Sequence, residues 1–355
     1  MLKQRIYEID FIRSVALLII IFFHYLESGI LELGLLREPE SFIFHGINLL
    51  HFGGVNLSLG NWGVSLFLII SGASLMYVYE EGLEVKDFYK KRVRSIMPLY
   101  YLAFLLASTI QLLIYKGRRW SNAANWTIIL TFLGIDGWLG EVIPNFALVG
   151  DWYVGTILII YLFFPIFYKA IKKFPHITLL VYAVIFMIWE FAFPFEFSKR
   201  NSIILRGFEV VLGMYFMERW KNVTLCTCLF SCGIIFLLIF VKIEIISLYI
   251  LVPIAGATAF LAIFYFSGYL KAKWIQNPVC WLSKYSYPVF LIHHFVLNKI
   301  FERIKPASLD IGNAIILFFI SLFLIFILGY ALKKLEYVFS QTLRYLKKCR
   351  MNISN

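Results

Sequence analysis

Two apolar runs of this chain carry the side chains best suited to chemistry: Asp10, Arg13 and His24 in the first, and His293 and His294 in a late one. An imidazole near neutral pH can move a proton or carry a transferred group. A guanidinium can orient an anionic or carbonyl group. An ionisable group among so many apolar neighbours costs roughly 2.5–3.5 kcal/mol at the centre of a bilayer, so each marks a function or a structural pair. At about 100° per residue, Arg13 and His24 (i, i+11) differ by about 20° in helical phase, and Asp10 and His24 (i, i+14) by about 40°. All three then share one face, with Asp10 and Arg13 paired at i, i+3. At about 1.5 Å per residue, Arg13 and His24 stand roughly 16 Å apart along the axis. The bland alternative is a topogenic arginine with histidines at helix ends.

The elements that must position these groups are membrane helices. The chain has 355 residues, 61% hydrophobic, 19% aromatic and only 15% charged, with mean hydropathy +0.80. A soluble domain of this length needs far more surface charge. The expected fold is all-α and polytopic, with ten spans near 9–27, 62–80, 96–115, 151–169, 176–195, 202–218, 223–241, 245–269, 281–299 and 312–332. The stretch 126–140 is short and Gly-rich, and is expected to be re-entrant or interfacial. With the N-terminus inside, the inner segments hold about twice the basic residues of the outer ones, which places both termini in the cytoplasm. The net charge of +12 is therefore topological, with no nucleic-acid footprint. The chain divides into a membrane domain, 1–334, and a basic amphipathic tail, 335–355, on the inner leaflet. The longest non-helical stretch, 27–61, falls outside.

Other polar groups have structural readings. Arg206 and Glu209 form an i, i+3 pair, and Gly72 suits close helix packing. Cys226, Cys228 and Cys232 read as small fillers of one apolar helix, and no metal-ligand spacing is evident. Asp151 and Trp152 open a helix on the outer side, as a cap and an aromatic-belt anchor or as ligands. Lys90-Lys91-Arg92-Val93-Arg94 is explained by topology or by phosphate binding.

These segments resemble the acyltransferase-3 family of integral membrane O-acyltransferases. Tyr7-Glu8-Ile9-Asp10-Phe11-Ile12-Arg13, followed by Phe22-Phe23-His24-Tyr25, is similar to its opening, an Arg, ten residues, then a His. Gly63-Val64, Phe67 and Ser71-Gly72 resemble its second-helix signature, and Ser286-Tyr287 with Phe290-Leu291-Ile292-His293-His294 its late block. There are departures. Lys91, Arg92 and Ser95 stand where many members have three arginines, and Arg94 comes one place early. Trp152, Tyr161 and Pro165 keep a third spacing, but Tyr153 and Ile157 replace Ser and Glu.

The resemblance implies transfer of an acyl group, acetyl in the first instance, from cytoplasmic acyl-CoA to a hydroxyl of an extracytoplasmic or lipid-linked glycan. It implies a bacterial cytoplasmic membrane, no bound cofactor, and acetyl-CoA, a carbohydrate acceptor and lipid as partners. His24 is then the catalytic residue and Arg13 orients the donor, with Asp10, His293 and His294 beside them. Lys91, Arg92, Arg94 and Ser71 are the donor-binding candidates, and Asp151 and Trp152 the acceptor-binding ones. A glycan exporter without acyl transfer, or a small-anion transporter, remains an alternative. His24→Ala is expected to retain expression and membrane insertion and to lose acyl transfer; normal glycan acylation in that variant refutes the assignment.

Overall fold

The computed structural model describes residues 5–27, 51–52, 57–116, 122–192, 199–241, 243, 245–304 and 311–353. It is helical, with one small hairpin in which β1 (His51–Phe52) pairs antiparallel with β2 (Leu57–Ser58). The helices are α1 (Tyr7–Leu26), α2 (Leu59–Val78), α3 (Val85–Ile114), α4 (Ile128–Leu133), α5 (Asp136–Leu139), α6 (Asp151–Lys173), α7 (Pro175–Ala192), α8 (Ile203–Tyr215), α9 (Leu225–Phe240), α10 (Leu248–Ser267), α11 (Lys273–Phe301) and α12 (Ile311–Ile353).

Helices occupy all ten expected places. Among the described residues, seven of them (α1, α2, α3, α6, α7, α10 and α12) are long and apolar enough to cross a membrane by themselves. The other three have visible reasons to fall short. A π-turn, Phe216–Trp220, extends the 13-residue α8. With 16 residues, α9 reaches about 24 Å against a hydrocarbon core of about 30 Å. In α11 two histidines and three lysines lower the hydropathy of the helix. Leu105, Leu113, Phe191, Phe230 and Phe323 point outward and are exposed, as side chains facing lipid must be.

The stretch 126–140 breaks at Gly134, whose φ of 71° ends α4 in the left-handed region. Its two pieces, of 6 and 4 residues, are too short to span, in keeping with a re-entrant segment. Two helices begin earlier than their apolar runs. The basic residues 90–94 lie inside α3, and Lys284 lies inside α11. At the C-terminus, α12 continues through the tail without a break for 43 residues. Most of the expected separate tail is therefore the last part of the last helix. Of the outer stretch 27–61, residues 28–50 and 53–56 lie outside the described residues.

The centre of the bundle is α2, 72% of whose apolar window is buried, against 17% for the peripheral α7. It packs on α1, α8 and α10. Small residues set that closeness. A Cβ on Gly72 would run into the Val210 carbonyl of α8, and one on Gly213 into the Ile69 carbonyl of α2. The two backbones touch reciprocally, the means by which membrane helices gain dispersion contacts. Across the same interface lies a buried polar knot. Arg206 pairs with Glu209 at 3.3 Å and donates to Asn61 Oδ1 at 3.0 Å, and Ser65 donates to Glu209. Gly72→Leu is expected to cost at least about 1–3 kcal/mol through overpacking. Gly233, whose added Cβ meets nothing, should tolerate Ala with a gain of up to about 1 kcal/mol. Thermal unfolding in detergent compares the two.

Candidate active site

The site begins on α1, where the chain must satisfy three ionisable groups away from water. Asp10 is buried, and its Oδ1 accepts from Ser283 Oγ at 2.7 Å, from Arg5 Nη2 at 2.7 Å and from Arg13 Nη1 at 3.2 Å. Arg13 also donates to Ser283 Oγ and to Ser74 Oγ, each at 3.2 Å. Serines from α11 and α2 thus fix the guanidinium from two sides. Asp10, placed in the sequence reading among the catalytic residues, points into this network and holds Arg13. Arg13 itself lines a cavity.

That first cavity has a volume of about 300 Å³. Arg92 and Lys284 stand with Arg13 as its cations. Ser71, Ser74, Ser283 and Ser286 supply hydroxyls, and Tyr153, Tyr161 and Tyr287 supply amphipathic walls. Ser71 Oγ and Tyr161 OH meet at 2.6 Å, and Tyr287 OH donates to the Ile96 carbonyl at 3.1 Å. Of the four donor-binding candidates, Arg92 and Ser71 line the cavity. Lys91 and Arg94 do not: Lys91 Nζ stands 5.8 Å from the Tyr79 ring centroid, and Arg94 is exposed. Lys284 is a lining residue that the sequence analysis did not single out. Its signal was its place two residues before Ser286-Tyr287. Tyr153 and Ile157, the two departures on α6, both border this cavity.

Phe290 lines the cavity, and the histidines are next to it. The His293 ring is 5.3 Å from Phe290. His24 comes from α1 to meet both histidines of α11, with ring centroids 3.8 Å from His294 and 5.2 Å from His293. His293 and His294 are 4.6 Å apart. His293 is buried and its Nδ1 bonds the Phe290 carbonyl at 2.6 Å, so that nitrogen is the donor and Nε2 the acceptor. His24 Nδ1 pairs with Glu27 Oε2 at 3.1 Å. All the expected histidines therefore form one cluster. Glu27, read from sequence only as the start of a loop, proves to be the partner of His24.

His294 opens on a second cavity of about 310 Å³. Trp152, Glu141, Asn201 and Asn298 line it, with Gly137 and Gly140 from α5 and the turn after it. Trp152 and Tyr153 are neighbours in sequence, yet face different cavities. Arg206 sits 5.2 Å over the Trp152 ring, a cation–π contact that fixes the indole. Asp151 opens α6, and its side chain lies outside the described residues. The start of α6 is held against α11 by Gly150, which adopts φ 81° and donates its N–H to the Leu291 carbonyl at 3.1 Å. Asn201 is fully buried, and its amide nitrogen and oxygen both lack a hydrogen-bond partner among the described residues. A buried amide left unpaired costs about 1–3 kcal/mol, which a bound polar molecule would recover. Asp136 anchors this end of the molecule, accepting from Tyr100 OH at 2.6 Å and from Thr131 at 3.0 Å. Burial pushes its carboxyl above the usual range, against those hydrogen bonds.

A family model described as an acyltransferase domain matches residues 6–334, nearly the whole chain. The chain belongs to this acyltransferase-3 family. Among curated proteins it is similar to Acyltransferase MdmB of Streptomyces mycarofaciens, 27% identical over 132 residues. That match spans 37% of this chain and 33% of the relative. No solved structure matches it. Asp10→Asn removes the charge that faces two guanidinium groups and is expected to cost about 1–3 kcal/mol. Exposed Glu84→Gln should cost less than half of that in the same thermal-unfolding measurement; equal effects would remove Asp10 from its positioning role.

Proposed function

We propose that this chain is an O-acyltransferase of a bacterial cytoplasmic membrane, with both termini inside, that moves an acyl group, acetyl in the first instance, from cytoplasmic acyl-CoA to a hydroxyl of a glycan outside. One observation carries the reading: three imidazoles stand together beside two cavities of different chemistry, with His294 lining the second and His293 packed on Phe290, which lines the first. The first cavity is cationic and tyrosine-lined, and suits a phosphate-bearing thioester. The second presents an indole, two amides and a carboxylate, and suits a hydroxyl-rich acceptor.

In this reading the CoA phosphates lie against Arg92 and Lys284, with Lys91 and Arg94 on the same helix as Arg92 but away from the cavity lining. The pantetheine arm passes Arg13 and brings its thioester to Phe290. The acceptor enters from the other side, against Trp152, Asn201 and Asn298. A ring nitrogen of His24 takes the acceptor hydroxyl proton as the oxygen attacks the thioester carbonyl. The C–S bond breaks, and the proton leaves with the CoA thiol. A two-step route differs only in that His24 is acylated first and the hydroxyl then takes the acyl group from nitrogen. His293 and His294 assist in either route. Glu27 and the Phe290 carbonyl keep two of the rings oriented.

The test is acetyl transfer from labelled acetyl-CoA by purified protein, beside glycan export in liposomes without acetyl-CoA. Export without transfer would replace this reading with the transporter one. Two groups of variants should separate. Arg92→Ala and Lys284→Ala are expected to raise the KM for acetyl-CoA roughly tenfold, about 1.4 kcal/mol each. Trp152→Ala and Asn201→Ala should raise the acceptor KM and leave the donor KM within about twofold, a change of about 0.4 kcal/mol. Identical effects from both groups would end the two-cavity assignment.

A further inference from the structure

The sequence gives no sign of a metal centre, because some 270 positions separate His24 from His293 and His294. The structure closes that gap. One ring nitrogen from each of His24, His293 and His294 lies within 4.8 Å of the other two. We propose that these three side chains form a binding site for a divalent transition-metal ion of the Zn²⁺ class, and that its occupancy switches acyl transfer off. The second half of this proposal rests on the reading of His24 as the reacting base or nucleophile.

Three arguments support the site. The first is ligand type: three neutral imidazoles are a favoured set for zinc, nickel and copper, and leave one position open. The second is distance. Zinc with Zn–N bonds of about 2.0–2.1 Å holds its nitrogens about 3.3 Å apart, so each ring nitrogen would move less than about 1 Å. The third is orientation. Metal-ligating histidines usually give their other ring N–H to a carboxylate or a backbone carbonyl, which fixes the ring and its tautomer. Glu27 Oε2 does this for His24 at 3.1 Å, and the Phe290 carbonyl for His293 at 2.6 Å. Two of the three candidate ligands thus already have the partner that a metal site needs. A bound ion would take the lone pair that His24 needs to accept a proton or an acyl group, and would sit beside His294 at the wall of the second cavity.

The probe is Co²⁺, whose visible ligand-field bands report coordination without any turnover. Full-length protein in detergent, stripped with a chelator, should bind one equivalent of Co²⁺, and Zn²⁺ should displace it. His293→Gln and His294→Gln should each weaken binding at least tenfold. Glu27→Gln, on a more exposed side chain, should weaken it by a smaller factor and guards against misfolding of the buried variants. Zn²⁺ at saturation should lower acetyl transfer at least tenfold, and a chelator should restore it. Absence of cobalt bands, or bands unchanged in the histidine variants, overturns the site. Binding that leaves transfer unchanged or raises it overturns the switch. If the chain proves to transfer no acyl group at all, the cobalt spectra still decide the site by themselves.

Discussion

Everything in this molecule depends on where α1 puts its charge. Asp10, Arg13 and His24 project from one side of a largely apolar helix, and hydrocarbon cannot receive them. They have to be met by another helix, and α11 meets them at both ends. Ser283 answers Asp10 and Arg13, and three turns further on His293 and His294 answer His24. The crossing of α1 and α11 is therefore fixed by polar matching, while apolar packing surrounds it.

The two clusters divide the labour. At the Arg13 end, Asp10, Ser283 and Ser74 hold the guanidinium at the wall of the first cavity, which the two serines also line. At the His24 end, a carboxylate and a carbonyl hold one ring nitrogen each of His24 and His293, and His294 lines the second cavity. In the proposed function the first arrangement orients the donor and the second reacts. This division explains why Asp10, which shares a helix face with His24, has a different task.

Close backbone approach makes the arrangement possible. Gly72 and Gly213 let α2 and α8 touch, which brings Ser71 and Ser74 to the first cavity and carries Arg206 to Trp152. Ser71 and Gly72 are adjacent, yet one lines a cavity and the other packs a helix. Gly150 acts similarly at the other end, where a left-handed turn bonded to Leu291 aims Trp152 and Tyr153 into separate cavities.

Local sequence determined a good deal. Apolar runs of membrane length placed the helices, since hydrocarbon thickness leaves few options. A 3.6-residue period put Asp10, Arg13 and His24 on one face, because helical phase is a local property. Gly134 and the shortness of its neighbours marked a segment unable to span. Where helices begin was less legible: α3 and α11 start inside polar sequence, and helices continue past the membrane edge wherever backbone hydrogen bonds allow. The tertiary structure alone decided which polar faces meet. That His24 reaches His293 and His294, that Arg92 lines a cavity while Lys91 and Arg94 do not, and that Lys284 and Asn201 belong to the site all follow from helix rotation and tilt. Those depend on side chains hundreds of positions away, and no local pattern encodes them.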